Sequence, residues 1–216
     1  CGSLVIATGG LSIPKLGATG FGYDVARQFG IRIVPTFPAL DGFTFSGKIA
    51  ALCRELSGVS VDCVLTCNGV PFRENILFTH SGLSGPAALQ GSLHWNPGDE
   101  IEIDLLPDTP LLEWLLEKKA EGSRSLVKTL LGELLPARFA ERLCELVLPP
   151  ELLAKPLPQV PEKALEAFCH AVNHWKLAPS GTVGYKKAEV TRGGVDTDEL
   201  PLRRPRRERP PGLRRP

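Results

Sequence analysis

The sequence predicts an α+β fold in which a block of short strands is followed by a block of helices. Residues 39–107 carry short apolar runs punctuated by Gly, Pro and Asn, the pattern of strands and tight turns. Residues 110–177 space their apolar side chains three and four apart, as helices do. Near the start, an apolar run stopped by Thr8-Gly9-Gly10 reads as a buried strand entering a glycine turn.

Taken in order, Leu4–Ala7 is the first strand candidate. Gly17-Ala18-Thr19-Gly20-Phe21-Gly22 follows, and Val25–Phe29 is a short helix ended by Gly30. Ile31–Val34 is a strand closed by Pro35 and Pro38. The β block offers Gly42–Phe45, Val59–Cys67, Asn75–Phe78 and Glu100–Leu105, separated by turn signals such as Asn68-Gly69 and Pro97-Gly98. Within it, Ser84 is a candidate cap for a helix starting near Pro86. In the helical block, Leu111–Ala120 and Leu126–Leu135 carry apolar stripes, and prolines break the chain from 149 to 161. Pro161–Leu177 reads as one further helix with Leu165, Phe168, Val172 and Trp175 on one stripe. Ala188–Thr191 is the last strand candidate, before Gly193-Gly194.

Hydrophobic residues make up 43% and charged residues 23% of the 216, the balance of a globular rather than a disordered chain. No apolar stretch approaches the roughly 20 residues that cross a bilayer, and no secretory signal is visible. Six cysteines in a chain of this length fit reduced thiols in a cytoplasm better than a disulfide scaffold. Methionine is absent and the chain opens on Cys1, the mark of a fragment, a processed product or an incomplete gene model. The net charge of +1 conceals an asymmetry: residues 201–216 hold seven Arg and one Glu, whereas the first 200 residues hold 18 basic and 23 acidic side chains.

Two spacings invite a metal and neither is convincing. Cys63 and Cys67 lie on a period-2 run, where four residues of strand span about 13 Å, too far for two thiolates on one ion. His170 and His174 are four apart, but they fall opposite the apolar stripe, and no third ligand is near in sequence. No metal is therefore expected.

The glycine clusters are the strongest chemical features. Glycine lets a backbone approach a ligand closely, and turns after strands are where α/β proteins bind nucleotides. Gly17-x-x-Gly20-x-Gly22 does not match the dinucleotide fingerprint, however, so these turns also read simply as structure. Thr79-His80-Ser81-Gly82-Leu83-Ser84-Gly85 places a titratable ring and the hydroxyls of Thr79, Ser81 and Ser84 near one turn, and equally reads as a capped turn.

Three segments carry a resemblance. Leu4–Tyr23, Phe78–Gln90 and Ala188–Val195 resemble, in order, blocks of the BaiN/YhiN-like (aminoacetone-oxidase-like) NAD(P)/FAD-dependent oxidoreductases. The resemblance implies an antiparallel β-barrel-like insertion (39–109) with a helical part (110–178), flanked by remnants of a Rossmann-like FAD-binding domain at 1–38 and 179–200. Residues 201–216 are then a disordered or frameshifted tail. Asp41-Gly42 stands where a more apolar pair is expected. The family's upstream phosphate-binding turn and its later glycine-rich flavin block are not in this sequence, so the missing segments would be partners and the chain inactive alone.

The resemblance also implies a function. FAD would take a hydride, with NAD(P)H as its source, and pass electrons to an organic acceptor of unknown identity. Thr8, Gly9 and Gly10 would contact FAD through their backbone, with Gly17, Thr19 and Gly20 on the flavin or substrate side. His80 is the candidate proton donor, since histidine titrates near neutrality. The competing reading is an anionic-surface or nucleic-acid binder acting through the Arg-rich tail. The acidic body and the lack of aromatics in that tail argue against nucleic acid as a partner, and no membrane partner is expected.

Overall fold

The computed structural model describes residues 4–199. Its strands form two antiparallel sheets. The smaller pairs β1 (Ile33–Ala39) with β9 (Val190–Val195). The larger has seven strands. In chain order these are β2 (Phe43–Thr44), β3 (Ser60–Cys67), β4 (Val70–Thr79), β5 (Gly82–Ser84), β6 (Ile101–Asp104), β7 (Trp175–Leu177) and β8 (Gly181–Thr182). Their spatial order is β7-β6-β3-β4-β5-β2-β8. Among the described residues no closed barrel forms, yet the edge strands β7 and β8 are joined by only residues 178–180, a span of about 13 Å at most. The sheet therefore curls until its two edges lie near one another.

The helices are α1 (Phe21–Gln28), α2 (Gly47–Glu55), α3 (Pro86–Gly91), α4 (Leu111–Ala120), α5 (Val127–Leu131), α6 (Ala137–Val147) and α7 (Glu162–Asn173). None of the described helices is long and apolar enough to cross a membrane.

Local chemistry explains the sheet. β3 buries Val61, Cys63, Leu65 and Cys67 on one face, the alternation its sequence carries. Asn68 and Gly69 both adopt positive φ, as a two-residue hairpin into β4 requires. Burial pushes the Cys63 thiol up to about 12 and the Cys67 thiol to about 11, so both are inert core thiols. The sheet and the helices share one core: Phe78 of β4 lies 5.0 Å from Phe139 of α6, and Trp175 of β7 sits 5.8 Å from Phe139, centroid to centroid.

Four expectations are corrected here. Leu4–Ala7 is neither strand nor buried: no described strand pairs with it, and Leu4 and Val5 are 75% and 83% exposed. The expected helix over Pro161–Leu177 stops at Asn173, because Trp175 and Leu177 are drawn into the sheet beside Ile103 and Ile101. His174 thus leaves the helix. Its Nδ1 lies 2.8 Å from Glu102 Oε1, and this contact, with Lys176 behind it, holds the Glu102 carboxyl below its usual range. Ser84 does not cap α3; it ends β5, and Gly85 takes the cap position at φ 90°. A side chain at Gly85 would place Cβ 2.7 Å from the Asn75 carbonyl oxygen. Finally, β1 does not stop at its prolines. It runs through Pro35 and Pro38 because a bulge sets Pro35 and Thr36 opposite Gly193 alone.

Candidate functional site

Two neighbouring cavities gather most of the polar residues singled out in the sequence. The first is a cleft of about 530 Å³ walled by Thr8, Gly9, Gly10, Gly17, Tyr23 and Thr191. Gly10 is fixed by space: a Cβ there would stand 2.6 Å from Thr191 Oγ1 and 2.7 Å from Thr191 Cβ. That hydroxyl in turn accepts a hydrogen bond from Leu11 N at 2.8 Å and lies 3.2 Å from Ser12 Oγ. Gly9 has φ 69° and faces open space. The backbone N–H groups of Thr8, Gly9 and Gly10 donate to no described residue, so they are available to a ligand.

Ile13, also on the wall, sits at φ 56° and ψ 62°, where a β-branched residue costs on the order of 1–3 kcal/mol. Its N–H donates to the Tyr185 carbonyl at 2.8 Å, which ties this turn to the segment before β9. Thr19 and Gly20 do not line the cleft. Gly20 caps α1, and Thr19 Oγ1 accepts from Phe21 N at 3.4 Å.

The second cavity, about 300 Å³, lies between the turn after β4 and the segment before β9. His80, Ser81 and Ser84 line it from one side, and Lys187 and Glu189 from the other. Glu189 also lines the glycine cleft, so the two cavities adjoin. The His80 turn is held by one hydroxyl: Thr79 Oγ1 donates to the Gly82 carbonyl at 3.1 Å and accepts from Ser81 N and Gly82 N. Gly82 is obligatory, since a Cβ would fall 2.0 Å from the Phe43 carbonyl oxygen.

Asp41 anchors this region from below and is 1% exposed. Its Oδ1 accepts from Gly42 N at 2.9 Å and its Oδ2 from Gly184 N at 2.5 Å, while its own N–H donates to Ser92 Oγ. The departure from an apolar pair at Asp41-Gly42 is therefore a structural clamp that fixes the chain leading to Lys187 and Glu189. Asp41→Ala would leave buried N–H groups unpaired and is expected to cost about 2–3 kcal/mol. Asp41→Asn, which keeps one acceptor oxygen, should cost less; urea unfolding of the two variants checks the order.

Sequence reasoning placed Thr8, Gly9, Gly10 and Gly17 in one cluster and His80 in another, but missed the members contributed from the far end of the chain. Lys187, Glu189 and Thr191 reach the site only because β9 pairs with β1. The available signal was the charged run Lys186-Lys187-Ala188-Glu189 between Gly184 and Gly193.

Comparison with known proteins adds a family and relatives. The family model described as HI0933-like protein barrel and H2TH domain matches residues 37–190. The chain is 45% identical over 214 residues to a ribosomal RNA dihydrouridine synthase of Escherichia coli (strain K12), covering 99% of this chain and 53% of the relative. It is 42% identical over 198 residues to a ribosomal RNA dihydrouridine synthase of Haemophilus influenzae, covering 91% of this chain and 48% of the relative. The chain thus spans about half the length of the curated relatives it matches.

These names correct two expectations: that electrons pass to an unspecified organic acceptor in an FAD-dependent oxidoreductase fragment, and that nucleic acid is not a partner. The second error came from the net acidity of the body, which says nothing about where its cations stand. The Arg-rich tail at 201–216, on which the nucleic-acid alternative rested, lies outside the described residues.

Proposed function

The chain belongs to the HI0933-like family with its barrel and H2TH domain, and from that membership we propose that it is part of a ribosomal-RNA-modifying protein that converts uridine to dihydrouridine. The observation that carries this reading is the pair of adjoining cavities sharing Glu189, one walled by glycine backbone and one lined by unengaged polar side chains.

Dihydrouridine differs from uridine by two hydrogens across one ring double bond, so the reaction needs a hydride source and a proton donor. A flavin is the group we assign to the glycine cleft; when bound it supplies the hydride, with reduced nicotinamide as the electron source. The residues present fit such a group. Gly10 leaves no side chain between backbone and ligand, and the unpartnered N–H groups of Thr8, Gly9 and Gly10 suit the oxygens of a nucleotide cofactor. Gly17 widens the far wall, while Thr19 and Gly20 act at one remove by setting the start of α1. His80 holds the proton at the second cavity.

In this scheme residues 1–38 and 179–200 form the cofactor side, as the Rossmann-like flanks of the sequence reading. Residues 39–109 and 110–178 are the curled sheet and its helical support. A cytoplasmic setting agrees with the cysteines among the described residues, all five of them buried and unpaired.

The test is direct. The full-length protein that contains this chain, supplied with FAD and a reduced nicotinamide, is incubated with ribosomal RNA lacking the modification, and digested nucleosides are weighed. A gain of two hydrogens on uridine is expected. Its absence, with both cofactors present and the RNA intact, would overturn the proposal.

A further inference from the structure

We propose that the cavity between the His80 turn and the Lys187–Glu189 segment receives one unstacked uracil base and distinguishes it from cytosine. This rests on the ribosomal RNA reading above and names the site where that RNA is read.

The cavity's polar complement is unspent. The side chains of His80, Ser81, Ser84, Lys187 and Glu189 make no hydrogen bond or ion pair with any described residue, although all five line one small pocket. Convergent polar groups without internal partners, above an apolar floor of Phe43 and Leu83, are what a polar ring requires. At about 300 Å³ the pocket is at the small end of ligand sites, which suits a single ring rather than a stacked pair. Chemistry on a base within folded RNA requires that the base leave its stack.

The donor and acceptor set matches uracil. The Watson–Crick edge of uracil presents a carbonyl, an N–H and a second carbonyl. The Glu189 carboxylate can only accept, and so suits the N–H. The Lys187 ammonium can only donate, and with the Ser81 and Ser84 hydroxyls it suits the carbonyls. Cytosine replaces the N–H with a bare ring nitrogen and one carbonyl with an amino group, which sets acceptor against acceptor at Glu189 and leaves Lys187 facing a donor. Because Glu189 also borders the glycine cleft, a base held here lies beside the group bound there.

The walls are preorganised. Thr79 Oγ1 fixes the His80 turn, and the Asp41 carboxylate fixes Gly184 at the start of the opposite wall. The rim is cationic. Lys186 adjoins Lys187, and the Ile13–Tyr185 backbone hydrogen bond brings the turn carrying Lys15 alongside. Neither Lys15 nor Lys186 is ion-paired to a described residue, so both are open to phosphates.

The test uses the full 216-residue chain and two short single-stranded RNAs that differ only in one central base, U or C, titrated by fluorescence anisotropy at low salt. The U oligomer should bind about tenfold more tightly. Glu189→Ala with Ser84→Ala should erase that ratio, and Glu189→Gln, which keeps an acceptor oxygen, should retain part of it. Lys186→Ala should weaken both oligomers equally and lower the salt dependence. All these side chains lie outside the core, and circular dichroism verifies that the variants stay folded. Binding without preference for U, or a preference that survives the double substitution, overturns the pocket assignment while leaving the RNA reading intact. No binding to either oligomer overturns both.

Discussion

Gly10→Val is expected to weaken the flavin binding proposed for the glycine cleft by at least about tenfold while leaving the protein folded. The substituted Cβ would stand 2.6–2.7 Å from the Oγ1 and Cβ atoms of Thr191, far inside van der Waals contact, and 3.2 Å from the Tyr23 hydroxyl. The Thr191 Cβ is fixed to β9, which is held to β1 through pairs such as Pro38 with Thr191 and Phe37 with Arg192. Relief therefore requires the glycine turn to move outward. That movement breaks the Leu11 N–Thr191 Oγ1 bond and carries the free N–H groups of Thr8, Gly9 and Gly10 away from the cleft. Overpacking of this kind costs about 1–3 kcal/mol, a modest loss of stability for a domain of this size. The effect on the cofactor should be much larger, because a wall displaced by a methyl group's width closes the approach that glycine provides. FAD titration by quenching of its fluorescence should show affinity reduced by at least about tenfold. Gly9→Ala is the contrast: Gly9 has open space and φ 69°, so alanine there meets only the left-handed backbone penalty of about 1–2 kcal/mol. Wild-type FAD affinity in Gly10→Val would show that the cleft does not seat the flavin.

The contrast between Gly10 and Glu189 illustrates what can be read from sequence alone. A glycine pair after an apolar run is a local signal, and it points to a turn whatever the rest of the chain does. Glu189 acquires meaning only through the antiparallel pairing of β9 with β1, more than 150 positions away in sequence, and no local pattern encodes that distance. The strands of the β block were legible because alternation, as in Val61, Cys63, Leu65 and Cys67, is imposed by burial of one face. Helix α2 was overlooked although Ile49, Leu52, Cys53 and Leu56 carry helical spacing, because the segment stands between strand-like runs. The Leu4–Ala7 run erred in the opposite sense. Its apolar character satisfied the pattern of a buried strand, but burial depends on a pairing partner that composition does not reveal. Partner choice failed for a related reason. Net charge averages over the whole body, whereas phosphate recognition depends on where a few cations stand, and the rim proposed above carries Lys15 and Lys186.

The same distinction between local pattern and long-range packing bears on the boundary near residue 110. The sequence divides the chain into a β part and a helical part, but the side chains do not respect that division. Phe139 is fully buried on α6 and is in ring contact with Phe78 of β4 and Trp175 of β7, at 5.0 and 5.8 Å between centroids. Phe78 and Trp175 are themselves 6.4 Å apart, so the three rings form one cluster that joins two sheet strands to a helix. The α6 face that carries Phe139 also buries Ala140, Leu143 and Cys144; the helix packs on α5 and, through Phe139, on the sheet. Phe139→Ala should therefore cost about 3–5 kcal/mol, from lost transfer energy and a cavity that fixed strands cannot collapse to fill. For a chain of this length that lowers the melting temperature by on the order of 10 °C. The form of the transition matters as much as its midpoint. If the rings unite the two parts, far-ultraviolet circular dichroism and tryptophan fluorescence should report one coincident transition in the wild type and in the variant, displaced as a whole. Trp114 on α4 and Trp95 beyond α3 give the fluorescence probe a reporter on each side of the boundary. Two separated transitions, with only the helical one displaced by the substitution, would show instead that residues 39–109 and 110–178 fold as independent units, and that the ring cluster is a docking contact between them.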